Sequence, residues 1–84
     1  MSDTHLVTTA HGLLLNILSL ANRGSLYREI RKYEESLEDL TKAINLNPSF
    51  HFAKSQRGSV YCKLSKFSES LKDLEDVRKR GWRK

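Results

Sequence analysis

The side chains that could ligate a metal or act in catalysis are few and scattered. The three histidines, His5, His11 and His51, have no metal-ligand spacing relative to one another or to Cys62. With no charged or metal-binding partner suggested for it, Cys62 is expected to be a small, partly buried packing residue. These residues predict no metal site.

Clustered carboxylates occur once, at Glu34, Glu35 and Glu38, close to Lys42. At helical spacing this is the pattern of a solvated helix face with i,i+4 ion pairs. The glycines are isolated, so no phosphate-binding loop is present. The sequence therefore predicts that the protein is not an enzyme and has no catalytic residues and no cofactor.

Length and composition favour one small, soluble helical domain. The chain has 84 residues, of which 38% are hydrophobic and 30% charged, proportions unlike those of disordered or membrane proteins. A single cysteine cannot form an internal disulfide, which favours a reducing compartment and predicts a cytoplasmic location. The apolar stretch 12–21 is too short to span a bilayer and lacks a positively charged leader, so it predicts a buried helix.

The net charge of +5 comes from the end of the chain. Residues 1–77 carry equal numbers of acidic and basic side chains, and the excess is in the tail, at Arg78, Lys79, Arg80, Arg83 and Lys84. The tail is either a solvated helix end, where cations suit the helix dipole, or a phosphate-contacting patch. Binding of nucleic acid through this tail is the alternative function, although the neutral body argues against it.

Nearly the same five letters occur twice, as RGSLY at residues 23–27 and RGSVY at residues 57–61. A shift of 34 residues aligns 17–50 with 51–84 and gives ten identical pairs. They include the arginine–glycine–serine run, Tyr27/Tyr61, Ser36/Ser70 and Asp39/Asp73. A fixed period of this length is typical of stacked-repeat proteins.

Each repeat has the apolar periodicity of two helices. We expect helices near residues 12–31, 34–46, 50–64 and 68–80. Pro48 should end the second helix, and Ser49 is the expected N-cap of the third. Gly24 and Gly58 fall inside helices, which predicts a close helix crossing with the small residues of the next helix opposite.

These features resemble the tetratricopeptide repeat. Its signature positions are occupied by Gly24, Tyr27, Ser36, Leu40, Ala43 and Pro48, and again by Gly58, Tyr61, Ser70, Leu74 and Val77. The resemblance implies an all-α fold of two tandem helix-turn-helix repeats, an α-solenoid, that acts in protein–protein interaction. We expect a flexible segment 1–11 before a domain 12–84 whose first helix is extended.

The chain departs from the family pattern just before each glycine. Arg23 and Arg57 replace the usual leucine, and we expect their stems to follow the helix surface with the charged heads in water.

The resemblance also implies a concave groove for a protein or peptide partner, lined by the first helix of each pair. The groove residues are Leu18, Ala21, Asn22, Ser25, Arg28, Glu29, Phe52, Ser55, Gln56, Ser59, Cys62 and Lys63. Some members of the family grip a C-terminal carboxylate with lysine, asparagine and arginine in the groove. Here Ala21 and Ser25 stand where that clamp would begin, so a clamp is not expected.

Two repeats cannot cover all the apolar surface of the first helix. We expect a homo-oligomer, or a longer repeat array, that uses Leu13, Leu14, Leu15, Ile17 and Leu20. At the other end, Leu71, Leu74 and Val77 have no following helix to meet. Gly81 is expected to stop the last helix, with Trp82 packed against Val77.

Overall fold

Four α-helices form two antiparallel hairpins. The computed structural model describes residues 2–80, with side chains described for residues 12–79. The helices are α1 (Ser2–Glu29), α2 (Tyr33–Leu46), α3 (His51–Lys63) and α4 (Phe67–Arg80). The described residues contain no strand, so the all-α prediction is confirmed.

The predicted helix bounds hold within a few residues except at the beginning. Helix α1 begins at Ser2 rather than near residue 12, so the extended first helix is longer than expected. Whether residues 1–11 form a flexible segment apart from the domain stays a prediction. The expected packing of Trp82 after Gly81 lies outside the described residues.

Helix α2 is held by one apolar face and ends at a proline. Its buried side chains are Ser36, Asp39, Leu40, Ala43 and Ile44, which recur every three or four residues. Asn47 follows the last turn, and Pro48 cannot continue the helix. The prediction that Ser49 caps α3 is wrong. The side chain of Ser49 does not cap α3, and its backbone N–H instead donates to Asn47 Oδ1 at 3.1 Å.

The core lies where α3 packs onto the first hairpin. Seven buried apolar residues form it: Ile17, Ala21, Leu40, Ala43, Ile44, Ala53 and Val60. Two of these belong to α3 and the rest to α1 and α2. Among the described residues, α1 and α4 make no contact with each other. The two hairpins are therefore stacked, with α3 packed against the first hairpin.

The two glycines mark the helix crossings, as predicted, although the closest residue opposite each is a leucine rather than a serine. A Cβ atom at Gly24 would lie 2.7 Å from Leu40 Cγ, and one at Gly58 would lie 3.0 Å from Leu74 Cγ. The serine of each second helix does contact the glycine, through its hydroxyl. Ser36 Oγ donates to the Gly24 carbonyl at 2.6 Å. The equivalent bond in the second repeat is 2.7 Å long.

Both hairpins turn through a residue in the left-handed conformation, at the same position of the repeat. Arg31 and Ser65, which are equivalent in the repeat, have φ values of 66° and 62°. In the second turn the Lys66 N–H donates to the Tyr61 carbonyl at 2.8 Å, the bond that closes a Schellman motif. A left-handed residue with a Cβ atom costs about 1 kcal/mol relative to glycine.

Replacement of Ser65 by glycine is therefore expected to raise the free energy of unfolding by about 1 kcal/mol. Urea unfolding followed by circular dichroism measures the change. Ser68→Gly is the matched control, because Ser68 is exposed within α4 and glycine should lower stability there. A Ser65→Gly variant as unstable as the control would contradict the left-handed turn.

Candidate functional site

The predicted groove residues lie along α1 and α3, but not all of them face solvent. Ala21 is only 1% exposed and belongs to the core, so it cannot line a groove. Asn22, Glu29 and Lys63 are exposed, and Ser55 and Ser59 are half-buried. Cys62 was expected to be partly buried for packing, and it is exposed instead.

A hydrogen-bond network joins α1 to α3 on this side. Gln56 Oε1 accepts from Ser25 Oγ at 3.2 Å and from Arg28 Nε at 2.9 Å. Arg28 also donates from Nη2 to Glu29 Oε2 at 3.2 Å. Four of the predicted groove residues are thus connected to one another, and their hydrogen bonds link the two helices.

Two apolar side chains stand beside this polar network. Phe52 is 42% exposed and Leu18 is 40% exposed. The Phe52 ring lies 5.9 Å from that of Phe50, which packs against the core. An exposed aromatic side chain supported from behind by a second ring is the kind of residue that anchors a bound peptide.

The charged heads of the arginines before the two glycines were expected to bind only water, but each also binds an aspartate of the next helix. Arg57 donates from Nε and Nη2 to the two carboxylate oxygens of Asp73, at 2.7 and 2.8 Å. Arg23 makes the same bidentate pair with Asp39, at 2.6 and 3.0 Å. Because the aspartates are buried and need a cationic partner, these arginines belong to the fold.

Each guanidinium also lies near the face of a tyrosine ring. Arg23 is 5.9 Å from the ring centroid of Tyr27, and Arg57 is 5.6 Å from that of Tyr61. The hydrogen bonds to Asp73 raise the pKa of Arg57, and those to Asp39 together with its negative charge raise the pKa of Arg23. Both interactions therefore favour the charged form of the guanidinium group.

The sequence carries a signal of these ion pairs. Each arginine precedes its aspartate by 16 residues, and both residue types recur at the 34-residue shift. Opposite charges repeated at a constant separation indicate a contact between the helices of one hairpin. The Ser25–Gln56 contact leaves no such signal, because it joins one repeat to the other and the two repeats share a single boundary.

The residues predicted as an oligomer interface are separated by the fold. Leu13, Leu14 and Leu15 are 49%, 51% and 54% exposed. Ile17 lies in the core, so it does not form part of an open surface, whereas Leu20 packs against the core and is only partly buried. Assembly through the remaining leucines stays a prediction.

Two open cavities lie at opposite ends of the stack. One, of about 220 Å³, is lined by Asn16, Ser19, Leu20 and Arg23 on α1. The other, of about 270 Å³, is mainly apolar and is lined by Ser55, Leu74, Val77 and Arg78 between α3 and α4.

The described part of the chain contains neither a metal-binding cluster nor a membrane-spanning helix. No group of three or more histidine, cysteine, aspartate or glutamate side chains within it could hold a metal ion. None of its helices has both the length and the hydropathy needed to cross a bilayer.

The stacked helix pairs define an α-solenoid of the helical-repeat class. Within that class, residues 17–50, which are the first repeat, match the tetratricopeptide repeat family model. The match begins and ends at the repeat boundaries predicted from the sequence. A search of curated proteins found no match. Tetratricopeptide repeats are non-catalytic modules that mediate protein–protein interaction.

Proposed function

We propose that this protein binds a peptide or short helix of a partner protein in the groove between α1 and α3. The observation that carries the proposal is the network around Gln56, which holds Ser25 and Arg28 in place beside the exposed ring of Phe52. A surface whose polar groups are already ordered loses little conformational entropy when a ligand binds.

The groove offers a peptide both apolar and polar contacts. Phe52 and Leu18 supply exposed apolar area, and Asn22 and Lys63 supply donors at its edge. The ordered Arg28 is partly neutralised by Glu29, which it contacts. This combination suits a peptide of mixed polarity rather than a highly acidic one.

A cytoplasmic location, consistent with an unpaired cysteine, stays part of the proposal.

Selection of peptides from a random library on the immobilised protein tests the proposal. We expect Phe52→Ala to weaken the selected peptides about tenfold or more, because exposed aromatic anchors dominate such interfaces. Affinity is measured by fluorescence anisotropy with a labelled peptide, and circular dichroism checks that each variant folds.

Phe67→Ala is the matched control, because Phe67 is also exposed but lies on α4, away from the groove. It should leave peptide affinity unchanged. Equal losses in the two variants, or a loss only in Phe67→Ala, would place the binding surface elsewhere.

Nucleic-acid binding through the basic tail is the weaker alternative. Of the tail residues, Arg78 and Lys79 have described side chains, and both are exposed beside the acidic residues Glu75 and Asp76. Nearby carboxylates reduce the attraction of such a patch for phosphate. If deletion of residues 78–84 abolished retention on a phosphate resin while peptides failed to bind the groove, the alternative would replace the proposal.

A further inference from the structure

The contact between the two repeats shows which residues bury when one repeat packs on another. Helix α3 packs onto the first hairpin through Val60, which is fully buried, with Leu64 packed against the same cluster. On the first hairpin, Leu40 and Ala43 are fully buried in this contact. Because the chain repeats every 34 residues, each of these four positions has an equivalent elsewhere in the chain.

The equivalents of the α3 contact residues lie open on α1. Leu26 corresponds to Val60 and Ile30 to Leu64, and they are 65% and 61% exposed. We call Leu26, Ile30 and the neighbouring Arg23 the leading face. It has the residue types that bury in the internal contact, but the described chain places nothing over it.

The first-hairpin residues that α3 covers have exposed equivalents on the second hairpin, at the other end of the stack. Leu74 corresponds to Leu40, yet it is 43% exposed where Leu40 is fully buried. The cavity of about 270 Å³ is lined by Ser55, Leu74, Val77 and Arg78. These are the equivalents of the core residues Ala21, Leu40, Ala43 and Ile44. We call this cavity, with the adjacent Glu75, the trailing face.

The two faces are also complementary in charge. In the internal contact, Arg57 Nη1 donates to Thr41 Oγ1 at 3.3 Å, across the boundary between the repeats. The equivalent of Arg57 is Arg23 on the leading face, and the equivalent of Thr41 is Glu75 on the trailing face. Both are exposed. Where the internal contact has a neutral acceptor, a contact between the faces would have a carboxylate, which strengthens the bond.

A second polar contact has a similar counterpart. Gln56 accepts from Ser25 across the internal boundary. At the equivalent positions, Asn22 lies beside the leading face and Ser59 beside the trailing face, so the amide and hydroxyl pair is retained. The apolar, charged and polar contacts between the repeats thus all have counterparts on the leading and trailing faces.

We propose that a second copy of this chain docks its leading face on the trailing face of the first, so that copies stack head to tail. The contact repeats the one that α3 makes with the first hairpin, with Leu26 and Ile30 over the cavity at Leu74 and Val77. Because the two faces differ, each copy in the stack leaves one face open for another. The assembly therefore grows with concentration rather than stopping at a dimer.

Sedimentation equilibrium of the unmodified chain, from about 10 µM to about 1 mM, gives the first test. The mean mass should rise steadily with concentration and pass that of a dimer. A monomer throughout this range would overturn the proposal.

Two variants each block one face. Leu26→Glu places a charge in the apolar contact and should weaken association at least about 100-fold. Glu75→Lys puts a like charge opposite Arg23 and should weaken it about tenfold or more. Both residues are exposed, so each variant should keep the circular dichroism spectrum and unfolding midpoint of the parent.

An equimolar mixture of the two variants provides the decisive measurement. Leu26→Glu retains its trailing face and Glu75→Lys its leading face, so the mixture should form 1:1 dimers that grow no further. Failure of the mixture to form dimers would contradict head-to-tail docking, since a contact between like surfaces gives no such rescue.

Leu13→Glu is the matched control on α1. Leu13 is also exposed, but it points to a different side of the helix from Leu26. It should leave association unchanged. Loss of association in Leu13→Glu with none in Leu26→Glu would assign the interface to Leu13–Leu15 and overturn the proposal.

Discussion

Arg57→Met is expected to lower the free energy of unfolding by about 2–4 kcal/mol. The substitution keeps the apolar stem but removes both hydrogen bonds to Asp73, whose side chain is only 8% exposed. Loss of one partner of a buried ion pair costs about 3–5 kcal/mol, because the other charge is left without compensation. We expect a smaller figure because the Arg57 side chain is 18% exposed and water can partly replace it. Urea unfolding at neutral pH measures the loss.

Two further variants separate the ion pair from simple packing. The double variant Arg57→Met with Asp73→Leu should recover most of the stability, because an apolar pair has no charge to compensate. Arg23→Met should cost less than Arg57→Met, since Arg23 is 59% exposed and water reaches Asp39 more easily. A double variant no more stable than Arg57→Met would show that the loss comes from packing instead.

Gly24→Ala is expected to destabilise the protein by about 1–3 kcal/mol, whereas Gly58→Ala should be close to neutral. A methyl group at Gly24 would lie 2.7 and 2.9 Å from Leu40 side-chain atoms and 3.3 Å from its backbone nitrogen. Leu40 is fully buried and cannot move aside. Overpacking there outweighs the gain of about 1 kcal/mol that alanine brings to a helix.

The second glycine is the matched comparison. A methyl group at Gly58 would lie 3.0 Å from two side-chain atoms of Leu74, and Leu74 is 43% exposed, so it can rotate toward solvent. A larger residue there, as in Gly58→Leu, should still cost about 1–3 kcal/mol. Thermal unfolding of the variants measures the difference, and equal losses for the two alanines would refute this account of the crossings.

The sequence was sufficient for the fold because the signals for it are local and repeated. The 34-residue period, Pro48 and the helical spacing of apolar residues defined four helices and the order in which they pack. The helix crossing at each glycine was also predicted, since a tolerated glycine inside a helix indicates close approach. The start of α1 was not predicted correctly, because the residues before Gly12 lack the apolar periodicity that marks a helix.

Side-chain partners were harder to predict than elements. Arg23 and Arg57 occupy positions where a solvated head is the ordinary outcome, and only the aspartates 16 residues later reveal otherwise. Ala21 and Ile17 were assigned to surfaces by their place in the helix, but burial depends on how α3 lies across the first hairpin. Exposure on a helix is set by its neighbours in space, which the sequence specifies only indirectly.

In the described part of the chain α1 and α4 make no contact, and this arrangement also affects how quickly the chain folds. The interhelical hydrogen bonds join residues 12, 16, 22, 28 or 31 positions apart, so each closes a short loop. Closing short loops costs little chain entropy, and proteins dominated by such contacts fold in microseconds to milliseconds. Either hairpin can form first and serve as the surface on which the other condenses.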